Sequence, residues 1–209
     1  MKTNNILLVG AGGTGSMILP AIHTHNVTIA DGDTYEEANK TRQPHAVSGE
    51  NKAELMCKVF NKFKTVSAHP HMLNGTETFK KLDIIISAVD NNEGRAAAYA
   101  ISNKLGIPLI IAQNQEWNPS AWLYLPMLKG TSKDPFLTYS LDAIQGQSTH
   151  VCEGLTPKKS ERGQSGLANL AAAGHAVTIL HSLGQKKWEN YIGECNSLPW
   201  PKYKKLKDL

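Results

Sequence analysis

The stretch Asn5-Ile-Leu-Leu-Val-Gly-Ala-Gly-Gly-Thr-Gly-Ser16 decides the fold. Its four apolar residues, Ile6 to Val9, read as a buried parallel strand. Four glycines follow, Gly10, Gly12, Gly13 and Gly15, and then a helical pattern at Met17, Ile18 and Ile22. A strand, a glycine turn and a helix start make a cradle for a nucleotide phosphate. The glycines let the backbone turn and approach a ligand, and the helix N-terminus offers free N–H groups and a positive dipole end. Glycine spacing alone does not separate a dinucleotide site from another nucleotide site.

Downstream, strand and helix patterns alternate. Val27 to Ala30 reads as a second strand ending on Asp31-Gly-Asp33, where a nucleotide-binding α/β fold places its ribose carboxylate. Lys52 to Phe63 carries the helical stripe Leu55, Met56, Val59, Phe60 and Phe63, with Cys57 read as structural. Thr65 to Ala68 is a short strand. Asp83 to Val89 is a buried strand that ends on Asp90, and a helix over 93–105 precedes a further strand at Ile107 to Ile111. The alternation predicts an α/β fold: a doubly wound, Rossmann-like, mostly parallel sheet, with an antiparallel extension in the C-terminal half at Ala121 to Pro126. Right-handed crossovers would bring Gly10, Asp31 and Asp90 to one sheet edge. Residues 164–183 read as a small-residue helix with Leu167, Leu170, Ala171, Gly174, Val177 and Thr178 on one face, packed on the sheet or on a second subunit. With no repeat and no linker, residues 1–209 are expected to form a single domain.

Composition narrows the function classes. The hydrophobic fraction of 41% and charged fraction of 19% suit a folded globular chain. Net charge is only +4, and of 22 basic residues only Arg42, Arg95 and Arg162 are arginines, which argues against a nucleic-acid partner. No run approaches the ~20 apolar residues of a membrane span, and no secretion signal is expected before the first strand. Cys57, Cys152 and Cys195 make neither a disulfide framework nor a Cys-x-x-Cys zinc pair, so no structural zinc is expected and the expected compartment is the cytoplasm. His45, His69 and His71 lack convincing metal-ligand spacing and read as surface or core histidines.

The segment Asp31-Gly-Asp33-Thr-Tyr-Glu-Glu-Ala-Asn39-Lys-Thr-Arg42-Gln43 resembles the Asp-x-Asp-x5-Asn-x2-Arg-Gln motif of the ThiF/MoeB family, relatives of the ubiquitin-activating enzymes. The preceding Gly-x-Gly-Gly-x-Gly, the Gly49-x-x-Lys52 pair, and Asp90-Asn91 with Arg95 stand in the matching order. The later part, with Cys152, Gln164 and the small-residue helix, loosely resembles compact ThiF-like proteins. The resemblance implies ATP-dependent adenylation of the C-terminal carboxylate of a small ubiquitin-like or sulfur-carrier protein, with magnesium, in a homodimer. It assigns the glycine loop and Asp31-Gly-Asp33 to the nucleotide, with Asp31 on the ribose hydroxyls. Asn39, Arg42, Gln43 and Lys52 go to the phosphates, and Asp90, followed by Asn91, to magnesium near the α-phosphate. An anion attacking a polyanion needs its charge cancelled and its groups aligned, which suits a forked Arg42 and a point-charge Lys52.

Members of that family commonly carry an arginine ahead of the first strand that reaches the neighbouring subunit's site. No arginine precedes Arg42 here, so Arg162, a lysine or a partner would replace it, or turnover would be slow or absent. Cys152 has two readings. It is either a nucleophile whose thiolate is favoured by Lys158, Lys159 and Arg162, or a polar loop cysteine without consequence. Cys195 is a weaker candidate. Two further readings of the whole chain stay open: a non-catalytic ThiF-like scaffold, and an NAD-dependent oxidoreductase, to which Gly10 through Asp31 is equally suited.

Overall fold

Strand β1 (Asn5–Val9) runs through the middle of a six-stranded sheet, and Ile6, Leu7, Leu8 and Val9 are all buried. The computed structural model describes residues 4–41, 43, 45–60, 62, 65–115, 118–130 and 166–185. In chain order the elements are β1, α1 (Gly13–Ile22), β2 (Asn26–Ala30), a 3-10 turn (Glu37–Thr41), α2 (Lys52–Val59), β3 (Val66–His69), β4 (Ile84–Ser87), α3 (Asn92–Leu105), β5 (Leu109–Gln115), β6 (Asn118–Tyr124), a second 3-10 turn (Pro126–Leu128) and α4 (Gly166–Gly184). The sheet order is β3-β2-β1-β4-β5-β6. The first five strands are parallel and β6 runs antiparallel to β5. The doubly wound sheet with an antiparallel edge is therefore as the sequence predicts.

Alternate residues of β1 feed two cores. Ile6 and Leu8 pack with Ile18, Leu19 and Ile22 of α1 and with Ala173, Ala176 and Ile179 of α4. Leu7 and Val9 pack with Ala98 and Ile101 of α3 and with Leu109 and Ile111. Apolar residues on both faces are what a strand covered on both sides requires. The chain winds outward in both directions from β1, so the order reverses between β1 and β4. A crevice opens there at the strand C-termini, the usual ligand position in an open α/β sheet.

Helix ends follow their capping residues. Asn51 caps α2 by accepting from the Glu54 N–H, and Asn91 caps α3 by accepting from the Gly94 N–H at 2.7 Å. Gly106, at φ +67°, closes α3 in the left-handed conformation. Helix α2 ends at Val59, so only part of the predicted stripe to Phe63 lies within it. Cys57 Sγ donates to the Val66 carbonyl at 3.4 Å, in keeping with a structural role.

Helix α4 takes up one of the two packings expected of it, that on the sheet. It packs on α1, β5 and β6 through Ala168, Asn169, Ala172, Ala173, Ala176, Ile179 and Leu180. The face carrying Leu167 and Leu170 turns away from the sheet, at 64% and 56% exposed, while Val177 packs at the margin of the core. The alanines let the helix approach the sheet closely, and its few polar residues, Asn169, His175, Thr178, His181 and Ser182, do not mark out one side.

Candidate functional site

The C-terminal ends of β1, β2 and β4 are laced together. Gly10 N–H donates to the Ala30 carbonyl at 2.8 Å, and Ala88 N–H donates to the Val9 carbonyl at 2.8 Å. Gly10 turns the chain at φ +92°, and a Cβ there would come within 2.9 Å of the Ala88 carbonyl oxygen. Beyond this edge lies a cavity of about 310 Å³. Its wall includes Gly10, Gly12, Gly13 and Thr14 from the glycine loop, Asp31 and Asp33 after β2, Lys52, and Asp90 and Asn91 after β4.

Asp31 is held by the loop it faces. One carboxylate oxygen accepts from the Ala11 N–H at 2.7 Å and the other from the Asp33 N–H at 2.9 Å. Asn51 secures the same turn, donating through Nδ2 to the Asp31 and Asp33 carbonyls, both at 3.1 Å. Lys52 follows directly. Its N–H donates to the Asp33 carbonyl at 2.9 Å, and its Nζ pairs with Asp33 Oδ2 at 2.9 Å. The start of α2 thus delivers a cation to the carboxylates after β2. Burial alone would lower the Lys52 pKa, but Asp31, the hydrogen-bonded Asp33 and Asp90 outweigh it and hold the ammonium above the ordinary lysine range.

Burial pushes the Asp31 carboxyl above its ordinary range, against the pull of Lys52 and of the two N–H groups. The folded protein therefore keeps the Asp31 proton to higher pH than the unfolded chain does. Stability gained through this group is full below the ordinary aspartate pKa of about 3.9 and is lost as pH rises through the folded value. The melting temperature of the wild type minus that of Asp31→Asn should accordingly fall as pH rises from about 4. A flat difference above that pH would contradict the shift.

Other predicted residues take different places. Asn39 accepts from the Glu36 N–H at 2.9 Å and lines no part of the cavity. Gln43 is buried, donates its N–H to the Asn39 carbonyl, and is likewise off the cavity wall. Asn91 lines the cavity while its Oδ1 is engaged as the α3 cap. Asp90 lies on the wall and is not that cap. Arg95 also lines it, donating to Asn92 Oδ1 and to the Val89 carbonyl, each at 3.2 Å. Gly15 is packed beneath the loop rather than on the wall: a Cβ there would run into the Gly10 carbonyl oxygen. Arg42, Arg162, Cys152 and Cys195 lie outside the described residues. The His69 and His71 rings meet edge to face at 5.4 Å, and His45 packs edge to face on Tyr35. Among the described residues no three His, Cys, Asp or Glu side chains are grouped to hold a metal ion.

Some wall residues were not singled out from the sequence. Met72 and Leu73 close the side after β3, Glu93 lies near Asp90, and Gln113 and Asn114 come from the end of β5. Asn51, off the wall but securing the turn from Asp31 to Asp33, carried a readable signal, an N-cap residue directly before a helix that starts with lysine. The others have no local signature.

A glycine loop at a helix N-terminus, a buried acid after β2 and a lysine across from both define a nucleotide-binding α/β protein. The ThiF family model matches residues 1–197, and the chain belongs to the ThiF family. Its fold is similar to that in the crystal structure of E. coli MccB, with a TM-score of 0.62 at 18% identity. That similarity covers 89% of this chain and 56% of the MccB chain, so this protein spans a little over half of that neighbour. Comparison with curated proteins yields no match. Among the described residues, no helix is long and apolar enough to cross a membrane.

Proposed function

We propose that this protein is an adenylyltransferase that uses ATP and magnesium to activate the C-terminal carboxylate of a small ubiquitin-like or sulfur-carrier protein. The observation that carries the reading is the meeting of Gly12, Thr14, Asp31, Lys52 and Asp90 on one cavity. Gly12 fits it to a nucleotide: a Cβ at this position meets no described atom within 4 Å, so a side chain would fill space a phosphate needs. Gly12, the N-cap of α1, has no side chain to cap the first turn, so among the described residues its N–H groups are left for an anion.

ATP, when bound, supplies the α-phosphoryl group that joins the carrier's carboxylate as pyrophosphate leaves. The chain's own groups bind and align. Asp31 accepts from ribose hydroxyls, and Lys52 opposes phosphate charge as a point cation. Arg42 supplies the second cation in this reading. Asn39 and Gln43 support the Asp31-to-Lys52 segment instead of touching phosphate, in keeping with their positions away from the cavity. The described wall carries Asp31, Asp33, Asp90 and Glu93 against Lys52 and Arg95. A polyanion therefore needs further positive charge there, which is the case for magnesium at Asp90. A single carboxylate suffices where phosphates and waters complete the shell. Cys152 is kept as a candidate acceptor of the activated carboxylate, and the family's homodimer is the expected assembly.

Melting curves with ATP and magnesium, with NAD, and with neither test the reading. A ligand at 100 times its dissociation constant adds about 2.7 kcal/mol, a shift of several degrees for a chain of this size. A shift with ATP supports adenylation and justifies a carrier search by pyrophosphate exchange. A shift with NAD alone would replace it with the oxidoreductase reading, and no shift with either would favour a scaffold.

A further inference from the structure

Asn169 of α4 is fully buried and far in sequence from every residue of the nucleotide loop, yet it touches that loop directly. Its Oδ1 accepts from Thr14 Oγ1 at 3.2 Å, across 155 residues, and from Asn114 Nδ2 at 3.1 Å. Both partners line the cavity, and Asn169 itself does not. Gly13, also on the wall, has no room for a Cβ because Asn169 Nδ2 occupies that space. Three elements, α1, β5 and α4, therefore meet at one carboxamide.

The cluster is costly as pure architecture. Among the described residues, Asn169 Nδ2 and Asn114 Oδ1 are both buried without a hydrogen-bond partner. The neighbouring inward positions of α4 are Ala168, Ala172, Ala173 and Ala176, all apolar and fully packed. An apolar residue at 169 would pack there without leaving polar atoms unmatched. A half-satisfied polar pair persisting in such a core, at the point where α4 meets the loop, marks function more than stability.

Resting on the nucleotide-binding reading, we propose that Asn169 is a positioning residue. It fixes the Thr14 side chain and the Gly13–Thr14 backbone against β5, and so holds the phosphate-binding start of α1 in its binding geometry. Thr14 has a β-branched side chain with few accessible rotamers, so one hydrogen bond is enough to set it. Helix α4, which contributes no described residue to the wall, then belongs to the nucleotide site through this contact. Preorganisation of this kind lowers the ordering cost of binding instead of adding a ligand contact.

The test measures ATP-magnesium dissociation constants by calorimetry, well below the melting temperature, for wild type, Asn169→Ala, Thr14→Val, Thr14→Ser and the Thr14→Val/Asn169→Ala double variant. Asn169→Ala and Thr14→Val should each weaken binding about tenfold, the equivalent of one hydrogen bond. Thr14→Ser, which keeps the hydroxyl but loses the β-branch, should lose clearly less affinity than Thr14→Val. The double variant should be no weaker than either single one, because both remove the same interaction. A purely architectural role would lower melting temperatures but leave these constants unchanged, and that result overturns the proposal while the nucleotide reading stands. Additive losses in the double variant overturn it too. Absence of ATP binding by the wild type overturns both. If Asn169→Ala does not fold, Asn169→Ser, whose shorter side chain draws back from Thr14, takes its place both as the single variant and in the double variant.

Discussion

Lys52→Met should weaken ATP-magnesium binding by about 10–100-fold, the usual worth of a hydrogen bond to a charged group. The lysine is pinned from both ends: its N–H is bound to the Asp33 carbonyl and its Nζ to Asp33 Oδ2. Its charge is reinforced by Asp31, Asp33 and Asp90. Methionine keeps the unbranched stem and removes only the ammonium. Folding should respond less than binding, because the partner carboxylate of Asp33 is half exposed and water can solvate it once the ammonium is gone. Losing the cation also leaves Asp31 and Asp90 facing the phosphates without an opposing charge, so the penalty should ease as added salt screens that repulsion. Calorimetry at two ionic strengths checks both points. Undiminished ATP binding by a folded Lys52→Met protein would remove Lys52 from the phosphate site.

The parts of the fold that were legible in the sequence are those that local pattern determines. Ile6 to Val9 and Asp83 to Val89 are apolar runs without a polar side, and only burial on both faces explains such runs. Gly10 and Asp90 at their ends, and Asp31 after β2, could be placed together because parallel strands share one C-terminal edge. Lys52 was found through the family motif, and its cap Asn51 could have been found beside it. Asn39 and Gln43 belong to the same motif, yet the structure puts them off the cavity wall, where Asn39 holds a 3-10 turn. A motif gives the order of residues, and what each touches depends on how the turn closes. The wall at Met72 and Leu73 comes from an irregular segment whose course is set by tertiary contact: Gly32 packs against the Met72 backbone so closely that a Cβ would not fit. Asn169 was hidden because α4 has no polar side, so its periodicity could not tell the inward residues from the outward ones.

The glycines of the loop should divide into two kinds when replaced by alanine. At Gly15 the new methyl would collide with the Gly10 carbonyl oxygen, and that oxygen cannot withdraw. Gly10 is anchored by its N–H bond to Ala30, sits at φ +92°, and is itself hemmed in by Ala88. Overpacking against fixed backbone costs up to about 3 kcal/mol or more, which outweighs the ~1 kcal/mol that alanine brings to a helix. At about 2–4 °C per kcal/mol for a chain of this size, Gly15→Ala should lower the melting temperature by roughly 5–10 °C or prevent folding. Gly12 has an ordinary φ of −73° and open space where its Cβ would stand. Gly12→Ala should therefore melt within about 2 °C of wild type, as surface substitutions do. Its methyl would nonetheless project where the phosphates lie, so the stabilisation by ATP should be lost. Melting curves of the two variants with and without ATP-magnesium separate a glycine needed by the protein from one needed by its ligand. A Gly12→Ala protein that ATP still stabilises fully would mean that the phosphates do not lie over this loop.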